Sequence, residues 1–147
     1  MKKREIRQNL FKLDHKRRQI LQPNLAKLGL YVGHGQGRIL EFLLEKDGIT
    51  QKELSEACSI DTATISRALD KLEEAGYIIR ENHPESRRAF QIVLTEKGRN
   101  KAKEVDQLFR EFDVVLCDGF SEKELEELNA YLRRIKNNLD SYRQENK

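Results

Sequence analysis

The residues of this chain whose types and spacing suit chemistry lie mostly between Thr50 and Arg99, and theirs is a chemistry of contact rather than of bond-making. Thr62, Ala63, Thr64, Ser66 and Arg67 set small and polar side chains beside one arginine on what reads as a helix. A hydroxyl both donates and accepts, and a guanidinium forks onto two acceptors, whether a guanine edge or a phosphate. Arg87 and Arg88 end a polar tip, His83-Pro84-Glu85-Ser86-Arg87-Arg88. An arginine there is placed to enter a narrow groove that concentrates negative potential. Thr50 and Gln51 open the preceding helix, where free amides and the helix dipole favour a phosphate.

Bond-making chemistry finds little support. A serine or cysteine hydrolase needs a base and an oxyanion site, and no candidate arrangement is legible. His15, His34 and His83 are scattered, and His34 with Glu41 is the one pair to inspect for a metal. Gly33-His34-Gly35-Gln36-Gly37 fits neither the dinucleotide fingerprint nor the P-loop, and no βαβ unit surrounds it. It reads as a flexible lead-in to the next helix. Cys58 falls on a core position, where a free thiol acts as a small hydrophobe, and Cys117 ends a helix beside Asp118. Neither a cofactor nor a metal is expected, and the chain does not read as an enzyme.

The elements that must position the contact residues follow from periodicity. Ile65, Ala68, Leu69 and Leu72 recur at i, i+3, i+4 and i+7, an apolar stripe opposite Thr64 and Arg67 on a helix over 61–75. Asp61 suits its N-cap and Gly76 its stop. Tyr77–Arg80 and Phe90–Leu94 are rich in β-branched and aromatic residues, with Phe90, Ile92 and Leu94 alternating, so 77–94 predicts a hairpin. Upstream, Thr50-Gln51-Lys52-Glu53 predicts a capping box. It opens a short helix that buries Leu54 and Cys58, and a tight turn through Ser59-Ile60 follows. Two short helices so joined, with small Ser55 at their approach, read as a helix-turn-helix. A helix able to lie in a groove, beside a ribbon with arginines at its tip, is what a winged DNA-binding module needs.

The flanks read as helices seeking partners. Ile6, Leu10, Leu13, Ile20 and Leu21 lie at helical spacing, with Arg17 where the stripe expects an apolar residue, until Pro23 breaks the run. Residues 23–37 then predict a loop or short helix around Leu25, Leu28 and Leu30, followed by a helix from Arg38 to Glu45. Thr95 caps a helix carrying Val105, Leu108, Phe109, Phe112, Val115 and Leu116. Ser121-Glu122-Lys123-Glu124 is a second capping box, and from it Leu125, Leu128, Leu132, Ile135, Leu139 and Tyr142 step alternately by three and four. That heptad seam predicts packing against another helix.

Composition sets the bounds. The chain has 147 residues, 37% hydrophobic and 36% charged, which suits one domain that completes its burial by oligomerising. Its formal charge of +3 is uneven, because residues 1–22 hold eight Lys/Arg against Glu5 and Asp14. Mild basicity is compatible with nucleic acid. No apolar run approaches the roughly 18 residues of a spanning helix, and the basic N-terminus is not followed by an apolar core. The expectation is a cytoplasmic protein with reduced thiols and no membrane contact.

With these residues in place, the chain resembles the MarR family of bacterial and archaeal transcriptional regulators. The resemblance rests on Leu28-Gly29-Leu30, Gln36, Ile39-Leu40, Gln51-Lys52-Glu53-Leu54-Ser55 and Thr64-Ile65-Ser66-Arg67. It continues through Leu72-Glu73-Glu74-Ala75-Gly76-Tyr77-Ile78, Arg87-Arg88-Ala89 and Leu94-Thr95-Glu96-Lys97-Gly98-Arg99. One position departs: the family pattern places Asp two residues before the wing arginine matched by Arg88, and here Ser86 stands there.

The resemblance implies a mainly α fold with a small β-hairpin wing, a single MarR-like domain over 1–147. Residues 34–99 would form the winged helix-turn-helix lobe, with recognition helix 61–75 and wing 77–94. Residues 1–33 and 100–147 would form the helical dimerisation region of a homodimer, through Ile6, Leu10, Leu13, Leu125, Leu128, Leu132, Ile135 and Leu139. It further implies double-stranded DNA as partner, a near-palindromic operator, a repressor's role and a small-molecule effector. Two alternatives stay open on the residues alone: a helical module for protein partners, and a nucleoid-type binder without sequence preference.

Overall fold

Helix caps and apolar spacing account for most of the elements. The computed structural model describes residues 2–30, 35–83 and 85–146, with His83 and residues 86–89 described by their backbone alone. Along the chain run α1 (Lys2–Lys27), α2 (Gln36–Glu45), β1 (Ile49–Thr50), α3 (Gln51–Cys58) and α4 (Thr62–Glu74). There follow β2 (Ile78–His83), β3 (Ser86–Leu94), α5 (Glu96–Leu116) and α6 (Glu122–Glu145). The chain divides into two compact units, residues 1–110 and 111–147.

The first unit packs helices against a three-stranded antiparallel sheet of order β1-β3-β2. Its core takes Ile39, Leu40 and Leu43 from α2, Leu54 from α3, Ile65, Ala68, Leu69 and Leu72 from α4, and Ala102 and Val105 from α5, all fully shielded from solvent. Ile78 and Ile92 close it from the sheet. Each large apolar side chain so buried contributes about 1.5–3 kcal/mol. The second unit holds the end of α5 and α6, which opens on a complete capping box. Ser121 Oγ accepts from Glu124 N at 3.1 Å, and Glu124 Oε1 accepts from Ser121 N at 2.9 Å.

Four expectations need correction. Pro23 does not break the first helix, which runs on to Lys27. The proline removes the amide that would bond the Gln19 carbonyl, but Gln19 is exposed and water can serve it. Leu21, buried, and Leu25, packed on the core, hold the two sides in line, and Asn24 Nδ2 donates to the Ile20 carbonyl at 2.8 Å. Arg17 fills its place in the stripe by donating to Asp14 Oδ1 at 2.8 Å.

The glycine-rich stretch differs as well. Tyr31 to His34 lie outside the described residues, but Gln36 and Gly37 are buried in the first turn of α2 rather than in a loop. A Cβ on Gly37 would meet Leu25 and Phe109 at 3.1 Å, so the glycine serves close packing.

The wing strands are longer than their apolar core, because strand pairing continues through polar residues. Ser86, Arg87 and Arg88 stand on β3 and not in a loop, with a register shift between Asn82 and His83. Phe90 does not share the burial of Ile92 and Leu94: it is 51% exposed. A further strand, β1, pairs Ile49 with Ile92 and Thr50 with Gln91, too short to read by periodicity.

The capping box at Thr50 is half formed. Thr50 Oγ1 accepts from Glu53 N at 3.2 Å, but the Glu53 carboxylate takes the Thr50 hydroxyl at 3.1 Å.

The tightest approach in the fold is at Gly98, where an added Cβ would lie 1.8 Å from the Tyr77 carbonyl oxygen. Backbone cannot yield as a flexible side chain does, so Gly98→Ala is expected to lose about 3 kcal/mol or more of stability. Urea unfolding measures it, and a loss within experimental error would show that the two segments separate freely.

Candidate nucleic-acid interface

The candidate interface is built on the start of α4. Asp61 caps the helix, its Oδ1 accepting from Thr64 N at 2.8 Å and its Oδ2 from the Thr64 hydroxyl at 2.7 Å. Those bonds hold the Asp61 carboxyl below its ordinary range, the backbone amide of Thr64 being the largest cause. The Thr64 hydroxyl is therefore engaged within the first turn, whereas Thr62, Ala63 and Arg67 are exposed and Ser66 is half-buried. Ala63 and Arg67 stand one turn apart opposite the fully buried Ile65, Ala68, Leu69 and Leu72, and Thr62 and Ser66 stand one turn apart at the edge of the buried face.

The turn before α4 is held from both sides. Ser55 Oγ donates to the Ile60 carbonyl, and Ser59 adopts a left-handed φ of 53° at the end of α3. Arg38 of α2 donates to the Cys58 carbonyl at 2.9 Å. Burial pushes the Cys58 thiol up, against the opposing pull of Arg38. Cys58 is a core residue, and Cys117 is half-buried.

Thr50 and Gln51 at the start of α3, Ser66 and Asp70 on α4, and Arg80, Phe90 and Ile92 on the sheet line one groove of about 410 Å³, together with Lys52. The structure thus brings Thr50, Gln51 and Ser66 together and sets Thr62, Ala63 and Arg67 on the same helix outside the groove lining. Arg87 and Arg88 occupy consecutive positions of β3, and their side chains lie outside the described residues, as does that of Ser86.

Several positioning groups escaped the sequence reading. Arg80 bridges from β2 to Asp70 and Glu73, so the acidic end of α4 is not bare. Its signal was only a strand position two residues after Ile78. Asp47, beside Gly48 in the turn after α2, accepts from Gly48 N at 3.0 Å, Leu94 N at 2.9 Å and the Arg99 guanidinium at 3.1 Å. It joins the end of α2 to β3 and α5, a link across 47 and 52 positions that no local pattern carries.

Of the apolar residues assigned to dimerisation, Ile6, Leu10 and Leu13 are exposed on α1. On α6, Leu128, Leu132 and Leu139 are exposed and Leu125 and Ile135 half-buried. Elsewhere in the first unit, a cavity of about 240 Å³ is lined by Arg17, Arg18, Leu21, Gln22 and Leu25 of α1, by Leu30, by the start of α2 and by Phe109. Among the described residues no group of three or more His, Cys, Asp or Glu is placed to hold a metal ion, and His34 lies outside them. No helix among the described residues is long and apolar enough to cross a membrane.

The Asp61 cap has a pH signature. A lowered folded-state pKa means that its stabilisation is complete above the ordinary value of 3.8 and is lost as pH falls through the folded value. Asp61→Ala is expected to be less stable than the native chain at neutral pH, with the gap closing toward pH ~2. Denaturant unfolding at both pH values checks this, and a gap independent of pH would remove the carboxylate from the account.

Known proteins share this arrangement. The MarR family model matches residues 33–90. The uncharacterized HTH-type transcriptional regulator YybA of Bacillus subtilis is 28% identical over 117 residues, 80% of this chain and 78% of YybA. The crystal structure of the transcriptional regulator SlyA superposes with a TM-score of 0.82 at 28% identity, over 92% of this chain and 94% of SlyA. MepR of S. aureus, crystallised as a DNA complex, gives 0.79 at 27% identity, over 89% of this chain and 96% of MepR. In its helix-turn-helix and its wing the chain thus matches the MarR family model over residues 33–90 and has the winged helix-turn-helix fold of these transcriptional regulators.

Proposed function

We propose that two copies of this chain bind one near-palindromic operator in double-stranded DNA and repress from it, until a small molecule releases them. The observation that carries this reading is the exposed face of Thr62, Ala63 and Arg67 beside a groove opening on the start of α3. Arg67 forks to a guanine edge or a phosphate, and Thr62, Ala63 and Ser66 leave room for a base edge in the major groove. Thr50 and Gln51 bind phosphate at the α3 terminus. The Thr64 hydroxyl serves the cap, so its part is to present that turn. Arg87 and Arg88 enter the flanking minor groove. Two-fold symmetry then sets the half-sites about 34 Å apart.

In this reading residues 34–99 form the DNA-binding lobe, and residues 1–33 and 100–147 supply dimerisation. Its support is apolar surface that one chain leaves in water: Phe11 is 70% exposed, Leu13 60%, Leu139 62% and Tyr142 66%. Monomeric soluble proteins seldom leave such stripes uncovered. The effector would sit in the cavity beside α1 and α2, which pairs apolar walls with Arg17, Arg18 and Arg38. A cytoplasmic location follows from the same role.

The test is fluorescence anisotropy with DNA from upstream of the chain's own gene, against scrambled DNA of equal length, at several salt concentrations. Tighter binding of one dimer to the upstream piece is expected. Arg67→Ala and Arg88→Ala should each weaken it by about 1–3 kcal/mol. Equal binding to every duplex, with one shared salt slope, would instead mark a binder without sequence preference.

A second measurement addresses assembly. Sedimentation of the native chain should give a dimer, and Leu132→Glu with Leu139→Glu should yield monomer. A native monomer at micromolar concentration would refute the assembly.

A further inference from the structure

Arg80 stands at the base of the wing. It lies on β2 opposite Ile92, and its side chain reaches α4. Nη2 donates to Asp70 Oδ1 at 3.0 Å, and Nη1 lies 3.5 Å from Glu73 Oε1. The arginine side chain is 24% exposed, against 60% for Asp70 and 44% for Glu73. Its Nε–H, sealed from solvent, meets no acceptor among the described residues.

As a source of stability this arrangement is poor. A shielded N–H without an acceptor opposes folding, and ion pairs with carboxylates this exposed return little. What it supplies is direction. Apolar packing of sheet on helix is non-directional, whereas a planar fork that spans two carboxylates one helical turn apart fits one position along the helix. Arg80 and Asp70 line the groove whose other walls include Thr50, Gln51, Ser66 and Phe90. The geometry of that pair therefore sets how far the wing stands from α4.

We propose that Arg80 is a positioning residue for DNA recognition: its fork onto Asp70 and Glu73 fixes the wing against α4, so that the wing and the first turns of α4 reach their two grooves together. The proposal rests on the DNA-binding reading above. It differs from a plain charge shield, in which Arg80 would only mask two carboxylates from phosphate. The two accounts part on the variant Asp70→Asn with Glu73→Gln. That variant removes the negative charges and leaves the clamp only two neutral amide acceptors, which hold a guanidinium more weakly.

Random-sequence selection with the native chain supplies a duplex, and a second duplex keeps its centre but alters its flanks. Anisotropy then compares the native chain, Arg80→Met and the Asn/Gln variant on both. A clamp predicts that preference for the selected flanks falls about tenfold in both variants, with central preference kept. It also predicts that Arg88→Ala adds little in the Arg80→Met background. Tighter binding by the Asn/Gln variant with flank preference intact would establish the shield and overturn the clamp. A native chain that selects no sequence would overturn the DNA reading instead. The clamp is then judged by amide hydrogen exchange across residues 78–94. Faster exchange in both variants sustains it and unchanged exchange refutes it.

Discussion

The seam between the end of α4 and the start of α5 is the constraint on which the helix-turn-helix and the wing depend. Thr95 N donates to the Tyr77 carbonyl at 3.0 Å, Thr95 Oγ1 to the Gly76 carbonyl at 2.6 Å and Lys97 Nζ to the Ala75 carbonyl at 2.7 Å. The last carbonyls of a helix have no partner within it, and here those beyond the end of α4 are answered from the first residues of α5. Gly98 makes the approach possible, since any Cβ would collide with the Tyr77 backbone. Thr95 Oγ1 in turn accepts from Gly98 N at 2.9 Å, so one hydroxyl closes α4 and opens α5. Tyr77 is also the residue before β2. A single knot therefore sets the end of α4, the root of the wing and the origin of α5.

From that knot the charges acquire positions rather than a sum. A net +3 says little about where DNA would approach. The carboxylates nearest the wing root, Asp70 and Glu73, meet Arg80, and Asp47 meets Arg99. Asp61 is spent on amides and a hydroxyl of its own helix. These four carboxylates thus have partners inside the lobe, while Arg67 is exposed on the face of α4 away from the core. Local pairing of acids, rather than excess of bases, leaves Arg67 without a neighbouring acid drawn to it from these four.

How much of this was legible depended on the range over which each signal acts. The apolar faces of α4 and α6, the caps at Asp61 and Ser121 and the stop at Gly76 act within one or two turns, and the sequence carried them. Pro23 was misread because its local preference competes with Leu21 and Leu25, whose burial depends on distant residues. The two wing strands run beyond their apolar residues because pairing of Glu81 with Gln91 and Asn82 with Phe90 needs no apolar alternation. Asp47 and Arg80 were missed for one reason: their partners are remote in the chain, and neither a turn aspartate nor a strand arginine announces what it will meet. Of the site, the α4 face was readable from periodicity. The groove it shares with α3 and the sheet was not, since three separate segments make it.

The remaining asymmetry lies in burial. The core residues of the first unit are buried, yet α6 contributes no buried residue at all, and α1 contributes only Leu21. A helix whose seam steps by three and four, with Leu128, Leu132 and Leu139 in water, does not recover the entropy of ordering its side chains within one chain. The same spacing that would be a liability for a monomer would be an interface in the proposed pair. In that proposal the lobe's rigidity and the flanks' incompleteness serve one end. The knot at Gly98 holds α4 firmly within its lobe, and the uncovered helices would leave the distance between two lobes to be set by assembly. A symmetric DNA site would be measured by that distance, which no single chain contains.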